Sequence, residues 1–196
     1  MKRKFPEVSC VFIVFAIFSQ LHGVQLSTAD SRSATTLERE ETVRKFADIT
    51  GFFSGSIIGI THMYFVSTGV TGYHGPRWKN YLTVAPSLVT GPIVGKYAVS
   101  WMTRQMLRKK LKPSHAIIPG ILYGALCGTA ICSACMAPIL ISGYLLDTIH
   151  FNTMKGNYMI PKLIGMSILG GAVYGGTIGA IAGSVYAPVI SIYMKF

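Results

Sequence analysis

Lys96 is the one basic residue well inside an apolar stretch of this chain, directly after Gly95. A charge in hydrocarbon is costly and marks a functional site by default, as part of a pore wall or a relay. Lys96 also lies six residues before Met102, so its long stem would let the ammonium snorkel to an interface instead. His62 stands deep in an earlier apolar run. Its ring could carry protons or hold a metal, or it could serve as a hydrogen-bonded packing residue, the reading preferred here. Cys132 and Cys135 form a C-x-x-C, with Cys127 five residues earlier. Zinc needs about four ligands, and no second Cys or His pair accompanies these. They are expected to be small packing residues rather than a metal or redox centre. A cysteine close to headgroups would also be open to acylation.

Other chemistries lack their residues. There is no Gly-rich phosphate loop, no Gly-x-Ser-x-Gly elbow and no pair of carboxylates in one apolar segment. His62 with Ser54 or Ser56 is the thinnest of serine–base pairs. No enzymatic activity, cofactor or metal is expected.

These residues sit in an unusual chain. Its 196 residues are 51% hydrophobic and only 13% charged, about half the charge a soluble domain uses to cover its surface. Long apolar stretches point to an all-α integral membrane protein. The net charge of +11 is dispersed over short loops and termini, with no nucleic-acid module. The lipid bilayer and its anionic headgroups are therefore the expected partners, and nucleic acid is not.

Four apolar segments follow one another, at about 46–70, 82–102, 116–146 and 163–194. Roughly 20 residues cross the hydrocarbon, so each reads as one span of a four-helix transmembrane bundle over 46–196. The last two are long and are expected to tilt or to kink at Pro138 and Pro188. Connections at 71–81, 103–115 and 147–162 join them. Trp78, Tyr81, Trp101, Phe151 and Tyr158 fall near span ends, where amphipathic rings prefer the interface.

The segment "GGAVYGGTIGAIAGSV" carries Gly171, Gly175, Gly179 and Gly183 four residues apart. The third span repeats the spacing at Gly120, Gly124 and Gly128, and the first at Gly51, Gly55 and Gly59. Gly91 and Gly95 lie in the second. Each step of four advances the helix by 400°, so every row forms a nearly straight groove free of side chains. In lipid, apolar surface does not drive helices together; small residues that let backbones approach do. The rows predict glycine-zipper packing, either within one chain or between chains of a homo-oligomer.

Residues 1–29 have the layout of a secretory signal peptide: Lys2, Arg3 and Lys4, an apolar "CVFIVFAIF" too short to span, and small residues at Ser27 and Ala29. The alternative is an uncleaved signal anchor. Residues 30–45 are a polar linker with a short surface helix, started by a Thr35–Glu38 capping box and braced by Glu40–Arg44 and Glu41–Lys45. A signal segment would leave Arg77, Lys79, Lys155 and Lys162 inside. It would leave the more basic set, with Arg44, Lys45, Arg104, Arg108, Lys109, Lys110 and Lys112, outside. The positive-inside rule prefers the reverse, so orientation stays open.

Four spans of this length with glycine rows and short loops over roughly 46–190 resemble, in architecture, the Tim17/Tim22/Tim23 family of mitochondrial inner-membrane proteins. The family's arginine–aspartate signature after the second span has no counterpart: Arg104 and Arg108 are followed by lysines. No functional residue is carried over. The expected function is non-enzymatic, a scaffold or assembly component working by helix association with a membrane-protein partner. The alternative is a pore, carrier or translocase-like subunit. The expected location is the secretory pathway or cell surface; the resemblance implies the mitochondrial inner membrane.

Overall fold

The computed structural model describes residues 35–67, 77–148 and 159–195. The signal segment expected at 1–29 and the centres of two connections lie outside them. The described residues are helical: α1 (Thr36–Ser67), α2 (Arg77–Lys109), α3 (Pro113–Leu145) and α4 (Met159–Met194). Helix α4 comprises Met159–Gly170, a π-helical turn Gly171–Gly175, and Gly176–Met194. Two helices, α3 and α4, are long and apolar enough to cross a membrane.

Local chemistry sets the helix ends. The Glu38 carboxylate accepts from the Thr35 amide at 2.7 Å, and Thr35 Oγ1 accepts from the Glu38 amide at 3.4 Å. That is the expected capping box. The Glu40–Arg44 and Glu41–Lys45 pairs form as the spacing predicts, at 3.6 and 2.7 Å. Lys45 holds the exposed Glu41 carboxyl below its ordinary value, chiefly by its hydrogen bond and then by its charge. The surface helix expected over 30–45 is the first part of α1, with no break before Phe46.

The 103–115 connection is the largest departure from expectation. Helix α2 runs to Lys109, α3 starts at Pro113, and only Lys110–Lys112 link them. Falling hydropathy suggested a loop, but Arg, Gln, Met, Leu and Lys are strong helix formers. Lys110 ends α2 in a left-handed conformation (φ 45°), and Pro113 sits at the start of α3, where its missing amide is harmless. At the far end of α3, Asp147 adopts φ 53°, and the Thr148 amide donates to Gly143 O at 2.9 Å, closing a Schellman motif.

The four helices alternate in direction, so the start of α1, the end of α2, the start of α3 and the end of α4 share one end. A side-chain core lies there: Val43, Met102, Met106, Ala116, Tyr186 and Ile190 among its members. Along the middle of the bundle, glycine replaces this core. A Cβ on Gly51 or Gly55 would fall closer than 3.0 Å to the backbone of Gly95 or Gly91, and one on Gly59 would lie 2.7 Å from Ser87 O. Gly120, Gly124 and Gly128 meet Gly183, Gly179 and Gly175 in the same way. The ladders therefore face each other within one chain, α1 against α2 and α3 against α4, in antiparallel register.

One expectation for α4 changes. The row does not run through a uniform α-helix: the Gly176 amide donates to Gly171 O, five residues back. Gly170, Gly171, Gly175 and Gly176 bracket this turn, and their low α-propensity favours such a bulge. The α3 row ends at Gly128, with Cys132 at the next step, and Gly171 meets Ser133 and Thr129.

Candidate functional site

The polar chemistry of the bundle gathers at the α1–α2 crossing. Glu40, Arg44 and Asp48 follow one another at steps of four on α1. Lys96, Ser100, Arg104 and Arg108 do the same on α2. Steps of four keep side chains on one helix face, and the helices run antiparallel, so the two rows confront each other. They flank the glycine rows, which at steps of four run on from Gly51 to the buried Ala47 and Val43 and from Gly95 to Val99 and Thr103.

Beside the contact of Gly51 with Gly95, Lys96 Nζ lies 3.6 Å from Asp48 Oδ2. Ser100 Oγ donates to the other oxygen of the same carboxylate. Both charged side chains are about half exposed, at 48% and 46%. Lys96 is thus neither a bare charge in an apolar stretch nor a side chain stretched alone toward an interface; it has a counter-ion on the adjacent helix. Sequence reasoning singled out Lys96 and passed over Asp48, which stands near a span edge. The signal that could have found it is the shared spacing of four in the two rows.

Above this pair the helices part into a cleft of about 610 Å³. Helix α1 lines it with Glu40, Arg44 and Asp48; helix α2 lines it with Ser100, Arg104 and Arg108. Leu107 and Lys110 complete the lining. Glu40 is engaged by Arg44 and Asp48 by Lys96 and Ser100. No carboxylate among the described residues pairs with Arg104, Arg108 or Lys110.

No protein-family model, curated protein or solved structure matches the chain.

His62 is not brought to this site. It lies fourteen residues beyond Asp48 on α1, roughly 21 Å along the axis. Its Nδ1–H donates to Ile58 O at 2.8 Å, in its own helix. The three cysteines in α3 are buried and free. Cys132 packs on Gly175 of α4, whereas Cys135 packs on Gly91 of α2. Cys127 Sγ donates to Ala98 O at 3.2 Å. Members of the C-x-x-C thus pack against different helices.

Hydroxyl groups that sequence reasoning missed fasten α2 to its neighbours. Pro138 has no amide, so the carbonyl of Ala134 loses its helical partner; Thr90 Oγ1 of α2 lies 3.0 Å from it and donates. Ser142 Oγ lies 2.8 Å from Thr83 O, and Thr83 and Thr148 hydroxyls bond at 2.8 Å. Thr103 and Tyr186 hydroxyls bond at 2.9 Å, joining α2 to α4.

Proposed function

We propose that the chain is a four-span, non-enzymatic membrane protein acting as a scaffold or assembly component, with its glycine rows forming intramolecular zippers. One observation carries the reading: the rows on α1, α2, α3 and α4 meet one another inside the chain. Small residues have then been used to close the bundle, leaving a rigid body. Its outer surface is rich in large apolar side chains such as Phe53, Ile60, Ile118, Leu122, Leu169 and Val173. Such a surface suits lipid and neighbouring membrane helices. A homo-oligomer, in this reading, associates through that outer surface and not through the glycine rows. Residues 1–29 act as the signal peptide or anchor, and the chain resides in the secretory pathway or at the cell surface. The mitochondrial inner membrane is the alternative address, and imaging a C-terminally tagged chain separates the two.

The Asp48–Lys96–Ser100 cluster favours a second reading, a pore, carrier or translocase-like subunit in which the pair borders a path. Reconstitution of the purified chain into liposomes decides between them. The scaffold predicts a complex of defined size on mild extraction and no ion flux. Flux that Lys96→Met alters would overturn the scaffold in favour of the second reading.

A further inference from the structure

We infer that the cleft between the ends of α1 and α2 binds the phosphate of an anionic phospholipid from the surrounding membrane. The inference rests on the membrane-spanning reading above and adds to it a specific site.

The charge inventory of the cleft favours an anion. Arg44, Arg104, Arg108 and Lys110 face Glu40 and Asp48. Both carboxylates are already engaged, Glu40 by Arg44 and Asp48 by Lys96 with Ser100. Arg104, Arg108 and Lys110 therefore remain for a ligand. Arg104 and Arg108 are one helical turn apart on the same face of α2. Guanidinium forks at that spacing match the oxygens of one phosphate, each able to donate two hydrogen bonds.

The surface below the cleft points to a lipid rather than a free phosphate. Phe52 is one turn below Asp48 on α1 and exposed; Tyr97 and Trp101 are two turns below Arg104 and Arg108 on α2 and exposed. From Ile49 to Ser67, α1 carries no Asp, Glu, Lys or Arg, and Lys96 alone is charged between Asn80 and Thr103 on α2. The cleft thus sits where charge stops and exposed apolar surface begins. Trp101 packs edge-on to Tyr123, and Lys109 Nζ lies 5.2 Å from the Tyr123 ring centre. Aromatic rings beside a cation are the usual furniture of the headgroup level. A phospholipid places its phosphate and its acyl chains in this same order.

The test uses the purified full chain in mild detergent, titrated with dioleoyl phosphatidylglycerol, dioleoyl phosphatidylcholine or glycerol phosphate, with retained lipid counted by native mass spectrometry. The expected result is retention of phosphatidylglycerol at roughly tenfold lower concentration than phosphatidylcholine. An Arg104→Gln/Arg108→Gln variant should lose that preference, and Lys112→Gln, outside the cleft, should keep it. Equal retention of the two lipids, or equal loss in both variants, overturns the site. Displacement of the lipid by glycerol phosphate at comparable concentration overturns the lipid in favour of a soluble phosphate. The arginines are exposed, and an unchanged melting temperature of the variant in phosphatidylcholine verifies its fold; should it melt lower, Arg108→Gln alone carries the same expectation. Alkaline extraction of the chain from phosphatidylcholine vesicles separates the two readings. A chain that resists alkali but shows no lipid preference refutes the site alone; a chain released by alkali refutes both.

Discussion

The Lys96 ammonium lies 3.6 Å from the Asp48 carboxylate, one residue beyond the place where Gly95 touches Gly51. The close approach of the two backbones brings the two charges within reach of each other. Exposed ion pairs contribute up to ~1 kcal/mol and removing one partner of a buried pair costs ~3–5 kcal/mol. A half-exposed pair falls between.

The first prediction is a double-mutant cycle on that pair. Asp48→Asn and Lys96→Met should each destabilise the bundle by about 1–2 kcal/mol, because each leaves the opposite charge alone. The double variant should lose less than the sum, with a coupling of about 1 kcal/mol. Unfolding in mixed micelles measures this; additive losses would mean that the two side chains do not interact.

A second prediction contrasts two glycines. Gly128→Ala places a Cβ against the Gly175 carbonyl and should cost about 1–3 kcal/mol. Gly165→Ala meets nothing within 4 Å and should be neutral or slightly stabilising. Similar losses at the two positions would refute the packing role of the row. Gly175→Leu should likewise destabilise the monomer itself, and crosslinking of the folded fraction should remain as in the parent chain.

Thr90 supplies a third. Its hydroxyl proton is shared between Pro86 O at 3.1 Å and Ala134 O at 3.0 Å. Thr90→Val should cost about 1 kcal/mol, near the upper range for hydrogen bonds between membrane helices. In a Pro138→Ala background the Ala134 carbonyl regains a helical donor, and the same change should cost less. An unaltered penalty in that background would contradict the role assigned to Thr90.

The fourth concerns Thr103 and Tyr186, both buried. Thr103 also donates to Val99 O at 2.9 Å, so Tyr186→Phe leaves it a partner. Thr103→Val strands the Tyr186 hydroxyl. Thermal melts should show Thr103→Val losing about 1–2 kcal/mol and Tyr186→Phe well under 1 kcal/mol. The reverse order would show that Tyr186 has another acceptor.

Local features of this chain were legible before any coordinates. The Thr35–Glu38 box and the Glu40–Arg44 and Glu41–Lys45 pairs need only a helix of known pitch, and they formed as spaced. The glycine rows were legible as grooves for the same reason. The 103–115 segment was misread because hydropathy reports the polarity of a residue, not its backbone conformation. A helix that leaves an apolar environment stays a helix while its residues favour one. The π-turn at Gly171–Gly175 left no signal beyond its flanking glycines.

Read alone, then, the sequence carried which segments are apolar, which faces are bare, and that charge is scarce along them, since each follows from composition and from a period of four. Which bare face meets which was decided only in three dimensions. Gly51 could have paired with Gly128 or with another chain as readily as with Gly95, because glycine rows carry no identity of their own. Antiparallel neighbours joined by short connections resolved that choice. Once α1 lay on α2, Asp48 met Lys96 and the arginines beyond them were left facing an open cleft.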